Sequence, residues 1–206
     1  MSECSLTYSG GVPPRAKPLS PDDRRAALVD ATVPLLLEHG RTVTTRQIAD
    51  AAGIAEGTIF RVFDSKDDLV LAALEHALDL DPFIARLQQV DPDQELGAML
   101  LEVVELFQQR FSRVFQLMTR MGMVGPPKAH RHMEAERERV AVILTGLAER
   151  HRDSLRVPPS QLMHVVRLLT FSGTHPHISD GNPLSAEEIV DTVLNGVIKP
   201  PQNKDS

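Results

Sequence analysis

Two histidine pairs are the residues of this sequence whose type and spacing suit metal binding. His130 lies two positions before His132, and the same spacing recurs at His175 and His177. This spacing occurs in metal sites, but no cysteine or acidic residue adjoins either pair. We therefore expect surface or pocket-lining histidines, and neither a metal nor a cofactor.

No other arrangement of residues indicates catalysis. The sequence contains no Gly-rich phosphate-binding loop, no nucleophile elbow and no paired carboxylates in an evident cleft. We therefore expect that the protein is not an enzyme. A metal-dependent helical enzyme that uses the histidine pairs is the alternative.

One short segment has the pattern of two helices joined by a tight turn. Thr44, with a glutamine three residues later, forms a capping box that starts the first helix. Gly53 can adopt the left-handed conformation that ends this helix after about two turns. Ala49 is small enough for the second helix to cross close above it, and Ile59 fills the angle between the helices. This spacing is typical of a helix-turn-helix.

The remaining elements, which must position this segment, are also predicted to be helices. Hydrophobic residues make up 42% of the 206 residues but aromatic residues only 4%, which favours helices packed on helices over a β-sandwich. The single cysteine excludes an intramolecular disulfide. Apolar spacing and helix-start signals predict helices over residues 21–39, 45–52, 55–63, 65–79, 95–121, 128–152, 159–172 and 186–198. The expected fold class is all-α.

The charge distribution is compatible with one small phosphate-binding surface. The net charge is −6, yet the first 66 residues carry eight basic and eight acidic side chains and are neutral overall. A pI near 5.7 argues against a protein coated in nucleic acid. A local contact with phosphates remains compatible with this charge, because electrostatic interactions are screened within about 10 Å.

Residues 24–70 resemble the N-terminal DNA-binding domain of the TetR family of bacterial transcriptional repressors. Three stretches carry the resemblance: TTRQIADAAGI at 44–54, GTIFRVF at 57–63 and SKDDL at 65–69. The resemblance implies a three-helix DNA-binding domain followed by a larger helical domain that dimerises and binds a small molecule. It also implies a repressor that binds double-stranded operator DNA as a homodimer and that an effector releases.

The resemblance assigns DNA-binding roles to both helices of the motif. At the first helix, the amides and hydroxyls of Thr44 and Thr45 would face a phosphate. Arg46 would bind a guanine edge in two hydrogen bonds, or a phosphate only. Glu56 would accept a hydrogen bond from a cytosine amine, or be a surface acid.

Further DNA contacts are expected from the second helix and the residue that follows the motif. Gly57 would allow close backbone approach, and Thr58 would offer its hydroxyl to a phosphate. Arg61 would read a base or bind a phosphate, and Lys66 would clamp a phosphate by family analogy or be a solvated lysine. Two predicted contact residues depart from the family pattern, since Ala55 replaces a capping Ser or Thr and Phe60 replaces a Tyr. Val62 stands where a His is common.

We divide the chain into an N-terminal arm (1–20), a DNA-binding domain (21–66), a ligand-binding and dimerisation domain (67–200) and a tail (201–206). By the resemblance, the last two long helices would pair with those of a second copy; packing within one subunit is the alternative. An apolar effector would contact a stripe of aromatic, Met and Val side chains, for which ordinary core packing is the alternative. These predicted ligand-binding residues are Phe83, Met99, Val103, Phe107, Phe111, Phe115, Met118, Met121 and Met133.

Two expectations concern location and a competing function. No apolar run approaches 18 residues and the first twenty residues lack a signal core, so we expect a cytoplasmic protein without membrane contact. The departures at Ala55, Phe60 and Val62 favour an alternative function. In that alternative, the chain is a hydrophobic-ligand or lipid carrier with a TetR-like fold and a degenerate DNA face.

Overall fold

A computed structural model describes residues 20–123 and 133–197. Within these ranges the chain forms helices and turns and no strand, so the predicted all-α fold class is confirmed. The α-helices are α1 (Pro21–His39), α2 (Thr45–Ala52), α3 (Lys66–Leu78), α4 (Asp81–Leu87), α5 (Leu96–Met121), α6 (Met133–Glu149), α7 (Pro159–Thr174) and α8 (Ala186–Asn195). Short 3₁₀ helices cover Gly40–Thr42, Glu56–Arg61 and Arg152–Ser154.

Several predicted features lie outside the described residues. They are the arm up to residue 19, the tail at 201–206 and the pair His130 and His132. Met133 begins α6, but its side chain is not described. In the described ranges, no helix is long and apolar enough to cross a membrane.

Side-chain caps fix the starts of several helices. The hydroxyl of Ser20 accepts a hydrogen bond from the Asp23 amide at the start of α1, at 3.1 Å. Thr44 and Gln47 form the predicted capping box at the start of α2. Ser65 caps α3 in the same way as Ser20 caps α1. Such caps satisfy amides that have no partner inside a helix.

The N-terminal helices and the end of α5 share one hydrophobic core. Helix α3 contributes four fully or nearly buried residues to it, so it packs inside this core and against α1. The predicted boundary at residue 66 stays a prediction, and α3, which follows it, contributes to the core of the N-terminal helices. The buried members of this core are Leu28, Val29, Leu36, Val43, Ile48, Ala49, Ile59, Phe63, Leu69, Ala73, Leu74, Leu78, Leu117 and Met121.

Helices α4 to α8, including the first part of α5, surround a second core. Met99, Leu100 and Val103 of α5 lie fully buried at its centre. No helix was predicted between residues 79 and 95, where the structure has α4. Pro82 is the second residue of α4, a position where proline's missing amide hydrogen leaves no helix bond unmade.

Candidate DNA-binding site

The turn between α2 and the 3₁₀ helix Glu56–Arg61 has the geometry of a helix-turn-helix. Gly53 ends α2 with φ 65° and ψ 33°, which is the left-handed conformation that favours glycine. The Ile54 amide donates a hydrogen bond to the Ala49 carbonyl at 3.0 Å. Ile59 is completely buried and Ala49 nearly so, which places the two helices in close contact as predicted.

The second element of the motif is a 3₁₀ helix, whereas an α-helix over 55–63 was expected. Its cap residue Ala55 has extended backbone angles, but no side chain there accepts a hydrogen bond from the first turn. The first bond of the element therefore joins the Thr58 amide to the Ala55 carbonyl at 2.8 Å, which is 3₁₀ spacing. We refer to Glu56–Arg61 as the recognition element.

Several of the predicted DNA-binding residues are exposed. The side chains of Arg46 and Arg61 are open to solvent, and Phe60 has 52% of its surface exposed. A Cβ atom added to Gly57 would meet nothing within 4 Å, so a large surface can approach the backbone there. Thr58 is partly buried.

Three predicted phosphate-binding or base-reading residues are already bonded within the protein. The Thr44 hydroxyl donates to the side-chain oxygen of Gln47 at 2.9 Å, as part of the capping box. The Thr45 hydroxyl donates to the carboxylate of Glu56. These bonds use the single hydrogen of each threonine hydroxyl, so donation from these hydroxyls to a phosphate has to compete with them, whereas the Glu56 carboxylate keeps a second oxygen that can accept.

Lys66 connects the start of α3 to the loop before α2. Its ammonium group donates to the Val43 carbonyl at 2.9 Å, and the side chain is partly buried. A lysine ammonium carries three hydrogens, so two remain for other acceptors. The phosphate clamp remains a prediction, but the structure adds a contact that holds the lysine beside the motif.

Arg25 lies beside the motif and was not among the predicted site residues. Its guanidinium carbon is 4.2 Å from the centre of the Phe63 ring, which follows the recognition element. This is a cation–π geometry and keeps a positive charge next to the motif. Sequence reasoning missed this residue because the contact joins positions 38 residues apart.

The comparison with known families agrees with this geometry. The family described as "Bacterial regulatory proteins, tetR family" matches residues 28–73, which include the whole helix-turn-helix. Residues 28–73 therefore match the DNA-binding domain of the TetR family.

Curated relatives match part of this chain over similar lengths. The HTH-type transcriptional repressor KstR2 of Rhodococcus jostii is 41% identical over 68 residues, which are 32% of this chain and 33% of the relative. The KstR2 repressor of Mycolicibacterium smegmatis is 30% identical over 103 residues, or 47% of this chain and 49% of that relative. The chain therefore spans a third to a half of the length of these relatives.

A solved structure extends the likeness in fold beyond the motif. The TetR-like regulator LfrR from Mycobacterium smegmatis superposes with a TM-score of 0.52, covering 86% of this chain and 99% of that chain. The sequences are 23% identical over this alignment, so the likeness concerns the fold alone.

The predicted ligand-binding residues are mostly core residues. Met99 and Val103 are completely buried. Phe107 has 3% of its surface exposed, and Phe83 has 7% exposed. Phe83 packs on Phe107 with ring centres 5.1 Å apart, and the aromatic contacts continue along α5. This row of rings ends at Phe111 and Phe115, which meet Phe171 and His175 of the α7 end.

Met121 lies in the core of the N-terminal helices, so its predicted place among the residues of the C-terminal domain was wrong. The last turn of α5 extends past the C-terminal core, and helical spacing alone does not show which core a turn reaches. Met118, one turn earlier, is partly buried.

Two clefts border α4, and both are lined by other residues. None of the predicted ligand-binding residues with described side chains lines either cleft. A polar cleft of about 280 Å³ is lined by Arg86, Gln89, Glu102, Glu105, Leu106 and Gln109. A more apolar cleft of about 450 Å³ is lined by Ile84, Gln88, Ala135, Glu138, Arg139, Val142 and Ile143.

The described histidines do not assemble a metal site. His175 and His177 have ring centres 5.9 Å apart, and the His177 amide donates to Nδ1 of His175 at 3.3 Å. Among residues 20–123 and 133–197, no group of three or more His, Cys, Asp or Glu side chains could hold a metal ion.

Proposed function

We propose that this chain is a ligand-responsive transcriptional regulator, and more specifically a repressor. In this proposal it binds a palindromic operator as a homodimer and is released by a small apolar effector. The observation that carries the proposal is the helix-turn-helix, with a left-handed Gly53 and exposed Arg46 and Arg61 on its two helices. The repressor name of the KstR2 relatives supports the direction of regulation.

In the proposed complex the recognition element lies in the major groove. Arg46 and Arg61 are the base-reading candidates, because a guanidinium can bind guanine O6 and N7 in two hydrogen bonds. Gly57 allows the backbone to approach, and Thr58 donates its hydroxyl to a phosphate. The exposed ring of Phe60 replaces a phosphate contact with an apolar one, such as a thymine methyl.

A second copy is required by the size of the motif. A single module of this kind buries too little surface for tight specific binding, so two copies would enter successive major grooves about 34–36 Å apart. Helix α7 supports this assembly with three exposed apolar side chains, Val165, Leu168 and Phe171. We refer to these three residues as the α7 stripe.

The proposed effector is apolar or weakly polar. The row of phenylalanines along α5 has few charged neighbours, and it reaches the surface at Phe111 and Phe171. LfrR, which shares this fold, is described in complex with proflavine. Rearrangement of these rings around a ligand would change the helix positions, and the difference in ligand affinity between the two arrangements is the coupling energy.

Capture of genomic fragments by the purified full-length chain tests the proposal. We expect enrichment of a short site with two-fold symmetry, and an affinity that falls steeply as salt rises. Nuclease footprinting should then protect two half-sites about one helical turn apart. Binding of apolar ligands without enrichment of any DNA would instead support the carrier function, and purified protein that contains stoichiometric metal would support the enzyme alternative.

A further inference from the structure

We propose that Glu56 is a positioning residue for DNA binding and does not itself read a base. Its carboxylate accepts the hydrogen bond from the Thr45 hydroxyl, and this bond fixes the recognition element against α2. The inference rests on the proposed function, because it assigns a role within the same DNA-binding surface.

The bond joins the first residues of the two helices of the motif. Thr45 is the first residue of α2, and Glu56 is the first residue of the recognition element. They are eleven positions apart, on opposite sides of the turn at Gly53. Within the described residues, no other side-chain hydrogen bond joins α2 to the recognition element.

The recognition element needs such a bond because little else fixes its rotation. It has six residues, 3₁₀ geometry and no side-chain cap at Ala55. Its buried contact with α2 is apolar, through Ile59 and Ala49, and apolar packing is not directional. A hydrogen bond has preferred angles, so the Thr45–Glu56 bond can hold the rotation that the packing leaves free.

The Thr45–Glu56 bond affects the relative placement of the two exposed arginines. Arg46 follows Thr45 directly, and Arg61 lies at the far end of the recognition element. Their relative placement depends on how the recognition element sits on α2, which the Thr45–Glu56 bond fixes. An arginine that binds a guanine edge in two hydrogen bonds is sensitive to a small change in this placement.

A double-mutant cycle on operator binding tests the inference. The operator is the site enriched by the wild-type chain, and the variants are T45V, E56M, the double variant T45V/E56M and the conservative T45S. Methionine has nearly the length of glutamate but no oxygen that could accept from the Thr45 hydroxyl. We expect each single change to weaken operator binding by about three- to tenfold, and the double change to weaken it no further. T45S should bind as the wild type does, because serine keeps the hydroxyl.

Two further measurements separate positioning from base reading and from general destabilisation. Selection from a random DNA library should give the same preferred bases for E56M as for the wild type, with weaker enrichment. The same cycle followed by urea unfolding should show coupling between positions 45 and 56 without DNA. Matched controls are T119V and E75M, which change an exposed threonine and an exposed glutamate outside the motif and should leave operator affinity unchanged.

Three results would overturn the inference. A changed base preference in E56M at one operator position would show that Glu56 reads that base. Additive losses in the double variant would show that the two side chains act separately. Stronger binding of E56M to all DNA, with T45V unchanged, would make Glu56 a surface acid that repels phosphates. A wild-type chain that enriches no DNA would instead overturn the proposed function, which the unfolding cycle does not depend on.

Discussion

Arg46 and Arg61 are the residues on which the base-reading part of the proposal depends. Both are exposed on the helix-turn-helix, one on each helix. We expect Arg46→Ala and Arg61→Ala each to weaken operator binding by about 1–3 kcal/mol, with a much smaller loss on random DNA. Titrations on operator and on scrambled duplexes at one salt concentration measure both losses. Equal losses on the two duplexes would reassign the arginine to phosphate contact.

Ala55 determines how well the recognition element is formed. Its φ of −72° and ψ of 139° are those of a helix cap, but alanine has no oxygen to accept a hydrogen bond. We expect Ala55→Ser to raise the free energy of unfolding by about 0.5–1 kcal/mol, because the serine hydroxyl can accept an unpaired amide of the first turn.

Urea unfolding measures the effect of this change, and Ala51→Ser is its control. Ala51 is exposed within α2, where serine is a weaker helix former than alanine, so that variant should be slightly less stable than the wild type. A loss of stability in Ala55→Ser as large as that in Ala51→Ser would contradict the capping argument.

The end of α5 lies very close to the turn after α1. Gly40 has φ 56° and ψ −134°, and a Cβ atom added there would lie 2.1 Å from the Arg120 carbonyl oxygen. Gly53 has φ 65° and ψ 33°, and a Cβ atom there would meet nothing within 4 Å. A substitution at Gly53 therefore meets only backbone strain, whereas one at Gly40 also meets a steric clash.

We expect Gly53→Ala to lower the free energy of unfolding by about 1–2 kcal/mol, from the left-handed backbone alone. Gly40→Ala should lower it by about 3 kcal/mol or more, because the clash with α5 adds to the strain of its own positive-φ backbone conformation. Urea unfolding of both variants provides the comparison. Equal losses would show that α5 moves away from Gly40 easily.

Arg110 connects α5 to the end of α3 through two hydrogen bonds. Its guanidinium donates to the Asp79 carbonyl at 2.7 Å and to the Leu78 carbonyl. Burial lowers the pKa of this guanidinium, and the nearby Asp79 carboxylate partly opposes that shift. The pKa of Arg110 is lower in the folded state than in the unfolded state. Its contribution to the free energy of unfolding therefore rises with pH only in the alkaline range between these two pKa values.

The hydrogen bonds of Arg110 should therefore dominate the effect of replacing it. We expect Arg110→Met to lower the free energy of unfolding by about 1–3 kcal/mol, because two helix-end carbonyls lose their donor. The matched change Arg113→Met, at an exposed position of the same helix, should alter stability by less than about 0.5 kcal/mol. Equal effects in thermal unfolding would contradict the role of the carbonyl contacts.

At the scale of the whole molecule, α5 is the element that the two cores share. Its first part fills the C-terminal core with Met99 and Val103, and its last part fills the N-terminal core with Leu117 and Met121. Arg41 adds a bond from its side chain to the Met121 carbonyl. A shift of α5 within one core therefore has to be accommodated in the other, which gives the proposed effector a physical route to the DNA-binding motif.

The sequence predicts local features of this molecule but not the contacts between distant helices. The capping box at Thr44, the turn at Gly53 and the bounds of α5 were predicted, because each depends on residues a few positions apart. The place of Met121, the close approach at Gly40 and the Thr45–Glu56 bond were not predicted. Each of these depends on how whole helices pack against one another. Helical periodicity predicts that a residue is buried, but it does not predict which residues pack against it.

The α7 stripe provides the last prediction, which concerns the proposed dimer. Leu168 has 47% of its surface exposed at the middle of the stripe, where a second copy would cover it. We expect Leu168→Glu to raise the dimer dissociation constant about tenfold or more, because it places a charge at the centre of an apolar contact. Sedimentation over a range of protein concentrations measures this change.

Operator affinity should fall in parallel, because one motif alone makes too few contacts for specific binding. The control is Val142→Glu, which places the same charge on an apolar side chain that is 62% exposed on α6 and lines the cleft beside α4. If Leu168→Glu and Val142→Glu sediment alike as dimers, the stripe is not the dimer contact. If Val142→Glu alone dissociates the dimer, the second copy binds at α6, and the two recognition elements have to be spaced by a different pair of helices.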